Sequence, residues 1–208
     1  MIVSIEGIDG AGKNTLVQAI RAELGADAVA FPRYEQSVPA QLAQSALRGQ
    51  MGDLVDSVYG MATLFALDRY GAAEALREYR EGEKIVVLDR YVASNAAYSA
   101  ARLAGDLQAA REVVRWVQEL EFERFGLPVP DLQVLLDTPP REASARAQRR
   151  ELDDASRTRD RYERDGGLQE RTYAAYRDLA RRRWAGPWLV ASEPQEVVQA
   201  VRSLAEER

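Results

Sequence analysis

The sequence predicts an α/β chain with the P-loop nucleotide-binding fold, a five-stranded parallel sheet flanked by helices. Three observations predict it. Five short apolar runs, at 2–5, 28–31, 85–88, 132–136 and 188–191, alternate with longer amphipathic stretches, the pattern of strands joined by helical crossovers. The first run leads into Gly7-Ile8-Asp9-Gly10-Ala11-Gly12-Lys13, a G-x-x-x-x-G-K loop that opens a helix. The third closes on Asp89-Arg90, at the carboxyl end of a buried strand where such sheets hold ligands. The length, 208 residues without linkers, repeats or low-complexity segments, fits one domain over 1–208.

Each element has its local reason. Leu16, Val17, Ile20 and Leu24 share a face, so 14–24 reads as a helix. Pro32 stops the second strand and leaves Arg33-Tyr34 at its carboxyl end; 37–47 reads as helical and 49–53 as a turn. Residues 54–80 carry one long stripe of Val58, Ala62, Phe65, Arg69, Ala72 and Leu76, in which Arg69 interrupts an apolar face. Gly82 ends that helix, and Ile85 to Leu88 is of buried-strand type. Helices are expected over 91–102 and 106–125, a Pro-rich loop over 126–130, and a strand from Leu132. A helix over 141–150, a polar turn over 151–156 and a long charged helix over 157–183 precede the last strand and a final helix over 194–204.

The glycines allow positive φ and close backbone approach, so successive N–H groups can surround an anion. The helix start and Lys13 add positive charge there. Against 33 acidic residues stand 28 basic ones, a net −5, so no basic footprint argues for nucleic acid. All but Lys13 and Lys84 of those bases are arginine, as codon bias in a GC-rich genome produces. With neither Cys nor His, disulfides, zinc sites, thiol nucleophiles and histidine triads are excluded. The lack of Cys fits a cytoplasmic protein. No apolar run approaches the ~20 residues that span a bilayer, and the N-terminus reads as a strand, not a signal peptide.

Several clusters admit two readings. Asp89 is either a helix cap or turn residue or a Walker-B-type acid able to hold a Mg²⁺-bound water, and Arg90 beside it suits bidentate phosphate recognition. Phe65 and Arg69 are either a core aromatic and a structural ion-pair residue, or a stacking surface with a donor fork for a base. Asn95 and Tyr98, at i and i+3, are either a cap and a packed ring or a pyrimidine-reading pair. The arginines over 146–164 form either a solvated face or a lid that closes on a triphosphate. Asp160 and Glu163, one turn apart, either pair with those arginines or reach a metal.

The segments EGIDGAGKNTL at 6–16, FPRYEQS at 31–37, VYGMATLFALDRYGA at 58–72, VVLDRYVASNAAYSAARL at 86–103, GLPVPDLQVLL at 126–136 and RDRYERD at 159–165 resemble the thymidylate (dTMP) kinases, most closely their actinobacterial branch. The resemblance implies transfer of the ATP γ-phosphoryl to dTMP, giving dTDP, with Mg²⁺ and a homodimer built on long helices such as 54–80. It implies that Gly7, Gly10, Ala11, Gly12, Lys13, Asn14 and Thr15 hold ATP. It places dTMP against Asp9, Tyr34, Phe65, Arg69, Arg90, Asn95, Tyr98 and Tyr162, with Phe65 on the base and Tyr98 where a 2′-hydroxyl would clash. Lys13, Asp9 and Arg90 act in transfer with lid arginines drawn from Arg146, Arg149 and Arg157, the lid covering about 146–158. Asp9 and Glu163 hold the metal. Two departures mark the branch: Asn14 stands where the wider family has Ser or Thr, and Asn95 and Ser99 stand where many members have Ser and Gln. Other nucleoside-monophosphate or deoxynucleoside kinases, and a P-loop regulator without an acceptor, are the rival readings.

Overall fold

A computed structural model describes residues 1–153 and 161–207, and the side chains of all of these except 150–153 and 163. Five parallel strands form one sheet in the order β2-β3-β1-β4-β5: β1 Ile2–Glu6, β2 Asp27–Ala30, β3 Val86–Asp89, β4 Leu132–Leu136 and β5 Trp188–Ala191. β1 lies at the centre and is buried throughout, Ser4 and Glu6 included, as a strand covered by helices on both faces is. Its register sets Ile5 beside Asp89 on one side and beside Val134 on the other. The glycine loop and Asp89-Arg90 therefore leave the sheet together at its carboxyl edge.

The helices are α1 Lys13–Leu24, α2 Val38–Leu47, α3 Val58–Tyr70, α4 Ala73–Glu81, α5 Val92–Arg102, α6 Leu107–Gln118, α7 Pro140–Asp153, α8 Arg161–Arg164, α9 Gly166–Arg181 and α10 Pro194–Glu206. Caps follow local chemistry: Ser37, Ser57, Asp106 and Asp165 each accept a backbone N–H of the helix they open. α5 is rich in alanine, and its buried Ala93, Ala96, Ala97 and Ala101 let it pack closely between α6 and α9.

Three expected helices are interrupted. The stretch 54–80 divides into a 3₁₀ turn at Leu54–Asp56, α3 and α4. α3 ends at Gly71 because the Arg33 side chain folds onto its last turn, with Nε on Asp68 Oδ1 at 3.0 Å and Nη2 on the Asp68 carbonyl; a Cβ on Gly71 would lie 2.9 Å from Arg33 Nη2. The stretch 106–125 passes from α6 into a π-helical segment, Glu119–Arg124. The stretch from 157 is broken at Asp165, which caps α9. α7 runs to Asp153, past the turn expected from 151. At Gly71 a tertiary contact coincides with the break, and at Asp165 a cap does.

Two glycines carry the loop geometry. Gly12, at φ 101°, forms a left-handed cap from which α1 starts. Gly10, at φ 86°, lies against α7 so closely that a Cβ would stand 2.0 Å from the Ala143 carbonyl oxygen. Thr138 Oγ1, just after β4, donates to the Ala11 carbonyl at 3.0 Å and pins the loop from the other side. Gly10→Ala should cost about 3 kcal/mol or more, from left-handed strain plus overpacking. Gly49→Ala, also at positive φ but with open space around it, should cost only about 1 kcal/mol. Equal urea midpoints for the two variants would refute the close approach as the reason for Gly10.

Candidate active site

All eight residues expected around the acceptor line one cleft of about 240 Å³ at the carboxyl edge of the sheet. Phe65 and Arg69 come from α3, Asn95 and Tyr98 from α5, Tyr34 from the loop after β2, Asp9 from the glycine loop, Arg90 from the end of β3 and Tyr162 from α8. Phe31, Pro32, Leu47 and Ser94 complete the wall.

At the cleft floor, Arg90 has a left-handed backbone, φ 67°, uncommon for a side chain branched only beyond Cβ and typical of strained functional positions. Its guanidinium turns back over the glycine loop. Nη2 pairs with Asp9 Oδ1 and lies 3.4 Å from the Tyr98 hydroxyl; Nη1 donates to Ser94 Oγ at 3.3 Å and to the Tyr176 hydroxyl at 3.2 Å. Tyr98 donates to Asp9 Oδ2 at 2.7 Å and Gln169 Nε2 does so at 3.2 Å. Burial alone would raise the Asp9 carboxyl, but the charges of Arg90 and Lys13 and the Tyr98 hydrogen bond hold it well below the usual carboxylate range. Beneath, the fully buried Glu6 accepts from Ser94 Oγ at 2.6 Å and from the Tyr91 N–H at 3.0 Å; burial pushes this carboxyl up. Tyr176 hydrogen-bonds Ser94 at 2.6 Å and closes the network.

The upper wall holds a second buried pair. Arg69, 3% exposed, donates through Nε and Nη2 to Glu121 at 2.5 and 2.8 Å, and Asn95 Nδ2 donates to the same carboxylate at 2.8 Å. Arg69 is thus both the ion-pair residue and a cleft residue, which joins the two readings of its position. Tyr98 and Tyr162 lie with their rings 6.2 Å apart and nearly parallel.

On the phosphate side, Lys13 is buried and its Nζ donates to the Gly7 and Ile8 carbonyls at 3.2 and 3.0 Å. Burial, with Arg90 nearby, lowers its pKa to about 8. Asn14 and Thr15 are exposed at the start of α1. Asp89 Oδ1 is buried and has no hydrogen-bond partner among the described residues. Of the arginines expected in a lid, Arg146 reaches the loop, its Nη1 3.8 Å from the place a Gly12 Cβ would take. Arg149 is exposed on α7. Arg157 and Asp160 lie outside the described residues, as do the end of the expected lid and the Glu163 side chain.

Sequence reasoning missed Glu121, Gln169 and Tyr176. Glu121 had a signal: it falls at i+4 and i+8 from Val117 and Val113, an acid on an apolar stripe. Tyr176 lies on the buried stripe of α9 with Leu168, Thr172 and Leu179, where an aromatic reads as core. Gln169 gave no signal.

The Asp9 carboxylate has a testable linkage. A folded pKa below the unfolded 3.8 adds stability that is full well above 3.8 and fades as pH falls through it. Asp9→Asn should therefore be less stable than the parent at pH 7, by urea denaturation, with the gap narrowing towards pH 3. A gap independent of pH would refute the assignment.

Comparison with known proteins agrees with this geometry. The sequence model of the family described as "Thymidylate kinase" matches residues 5–201. The thymidylate kinase of Mycobacterium tuberculosis is 50% identical over 99% of this chain and 97% of its own length. That of Bifidobacterium longum is 34% identical over 86% of this chain and 84% of its own. Among solved structures, the thymidylate kinase of Candida albicans superposes with TM-score 0.73 at 19% identity, over 99% of this chain and 91% of that one. A deoxyadenosine kinase from M. mycoides does so with TM-score 0.66 at 16% identity, over the full length of both, a likeness of fold. By its sequence match from end to end and by the fold that carries it, this chain belongs to the thymidylate kinase family.

Proposed function

We propose that this chain carries out the family's reaction, ATP-dependent phosphorylation of dTMP to dTDP, with dTMP in the cleft and ATP on the glycine loop. The observation that carries the residue roles is the convergence of all eight acceptor residues on one cleft whose floor, Asp9, belongs to the loop itself. Phe65 stacks on thymine, Arg69 and Asn95 meet its edge, Tyr98 crowds the 2′ position, and Tyr34 and Arg90 hold the acceptor phosphate, with Tyr162 over the sugar.

A phosphate oxygen is already an anion, so transfer needs no general base; catalysis is alignment plus charge neutralisation. Arg90 is positioned in advance by Asp9, Ser94 and Tyr176. Lys13 moves from the Gly7 and Ile8 carbonyls to the ATP phosphates, and Arg146 is the lid arginine placed to join it. The donor set fits Mg²⁺: the partnerless Asp89 Oδ1 suits a metal-bound water, while Asp9 already accepts from Arg90, Tyr98 and Gln169. Among the described residues no cluster of three acids could hold a metal; Asp89 and Asp9 would hold the ion, with Glu163, whose side chain lies outside the described residues. Bound with ATP, Mg²⁺ would supply neutralisation of the charge developing on the transferred group.

A homodimer is part of the same proposal. The adjacent helices α2 and α3 expose Val38, Leu42, Tyr59, Leu67 and Tyr70, an apolar face of the kind dimers cover. No helix among the described residues is long and apolar enough to cross a membrane. We place the enzyme in the cytoplasm, where deoxynucleotides are made.

A coupled ADP-release assay tests the whole reading: turnover should require dTMP and Mg²⁺, and dTMP-independent ATP hydrolysis would overturn it. Lys13→Ala should lower kcat by about 10³-fold or more while the fold persists; near-parental turnover would remove Lys13 from the mechanism. Because free Lys13 is half neutral near pH 8 and triphosphate favours its charged form, ATP binding at pH 8 should take up protons. Calorimetry in buffers of different ionisation enthalpy measures this, and no buffer dependence would refute it. Tyr98→Ala should raise the preference for ribo-TMP relative to dTMP by about tenfold, read from kcat/KM for the two substrates.

A further inference from the structure

Glu121 lies outside the cleft, on the π-helical segment 119–124, and is fully buried. Its carboxylate can only accept hydrogen bonds. Arg69 Nε and Nη2 fill one side of it, and Asn95 Nδ2 reaches Oε1 at 2.8 Å. The other hydrogen of Asn95 Nδ2 goes to the Ala62 carbonyl, at 3.0 Å. Both amide hydrogens thus meet groups that only accept. Rotating the amide by half a turn would set Asn95 Oδ1 against two oxygens, leaving buried acceptors unpaired.

The consequence falls on the cleft. Asn95 Oδ1 and Arg69 Nη1 have no hydrogen bond among the described residues, and both side chains line the cleft wall. The wall therefore offers one acceptor and one donor whose identities are set from behind. A pyrimidine with N3–H and a 4-oxo group presents the complementary donor and acceptor. A 4-amino pyrimidine presents the reverse and would place acceptor against acceptor and donor against donor.

We propose that Glu121 is a specificity-positioning residue: it fixes Asn95 as an acceptor and Arg69 as a donor toward the base, and so selects 4-oxo over 4-amino pyrimidine nucleotides. The proposal rests on the reading of this cleft as the base site. It differs from a packing role because it acts on one chemical distinction. The 5-methyl group that separates dTMP from dUMP is not part of it.

The experiment measures kcat/KM for dTMP, dUMP and dCMP on the full chain carrying Glu121→Gln. A Gln keeps the volume but brings an N–H₂ of its own, so the Asn95 amide is no longer held one way. The dTMP-to-dCMP ratio should fall by about tenfold or more, the dTMP-to-dUMP ratio should stay within about twofold, and Glu121→Asp should keep the parental ratios. A folded Glu121→Gln enzyme with an unchanged dTMP-to-dCMP ratio, or with all three substrates reduced alike, would overturn the proposal. Asn95→Ala separates the two levels. If it lowers the dTMP-to-dCMP ratio while Glu121→Gln does not, only the role of Glu121 falls; if neither variant changes it, the base-site reading falls as well.

Should Glu121→Gln not fold, the parent protein still decides. In its NMR spectrum the Asn95 side-chain amide protons should exchange slowly and shift little when dTMP binds, since neither faces the base. Fast exchange in the free protein, or a large shift on binding, would overturn the proposal.

Discussion

The ion pair between Asp9 and Arg90 is the interaction on which the rest of the site depends. Asp9 belongs to the glycine loop after β1, Arg90 to the turn after β3, and parallel pairing of those strands brings the two turns side by side. Taking an arginine and a carboxylate largely out of water is costly unless each is fully met by partners. Here Ser94, Tyr98, Tyr176 and Gln169 supply them, from α5 and α9. The pair therefore dictates which faces of those two helices look inward. Left-handed backbone at Arg90 follows from the same demand, because the side chain must turn back over the loop it neutralises.

The same logic recurs further out. Arg33 meets Asp68 and Arg69 meets Glu121, each pair joining residues far apart in the chain, with acids that are wholly buried. Asp68 and Arg69 are neighbours on α3 and meet different partners, one in the loop after β2 and one on the π-helical segment. Such pairs add little net stability over apolar residues of the same shape, yet breaking one leaves an uncompensated buried charge. Their effect is on geometry. They fix the rotation of α3, which carries Phe65, and the facing of α5, which carries Asn95 and Tyr98.

How much of this was legible follows from how local each signal is. The glycine loop, its lysine and the apolar strands are written in contiguous residues, so β1 to β5 and the start of α1 stand within one residue of where periodicity put them. The acceptor residues were legible through motif resemblance; periodicity alone left Phe65, Arg69, Asn95 and Tyr98 open between core and site. What stayed hidden depends on partners distant in sequence. Nothing near Gly71 announces that Arg33 ends α3, and the continuous stripe through 54–80 concealed the break. Glu121 shows the limit most sharply: an acid on the Val113–Val117 stripe signals a buried partner, but only the fold shows that one carboxylate serves both Arg69 and Asn95.

A chain without histidine or cysteine can do this chemistry because the nucleophile is an anion before it arrives, so the protein contributes position and charge rather than proton transfer. That shifts the burden onto alignment between two binding sites, and Asp9 is where they are mechanically one. Its backbone is part of the glycine loop, while its carboxylate holds Arg90 on the floor of the cleft. Asp9 ties the loop to Arg90, and Arg90 in turn contacts Tyr98 and Ser94. Gly10 and Thr138 limit how far the loop can move, since α7 and the end of β4 hold it from two sides. On the proposed assignment, a loop held in this way and tied to Arg90 would keep the two reacting phosphates in register, with no separate catalytic base to align.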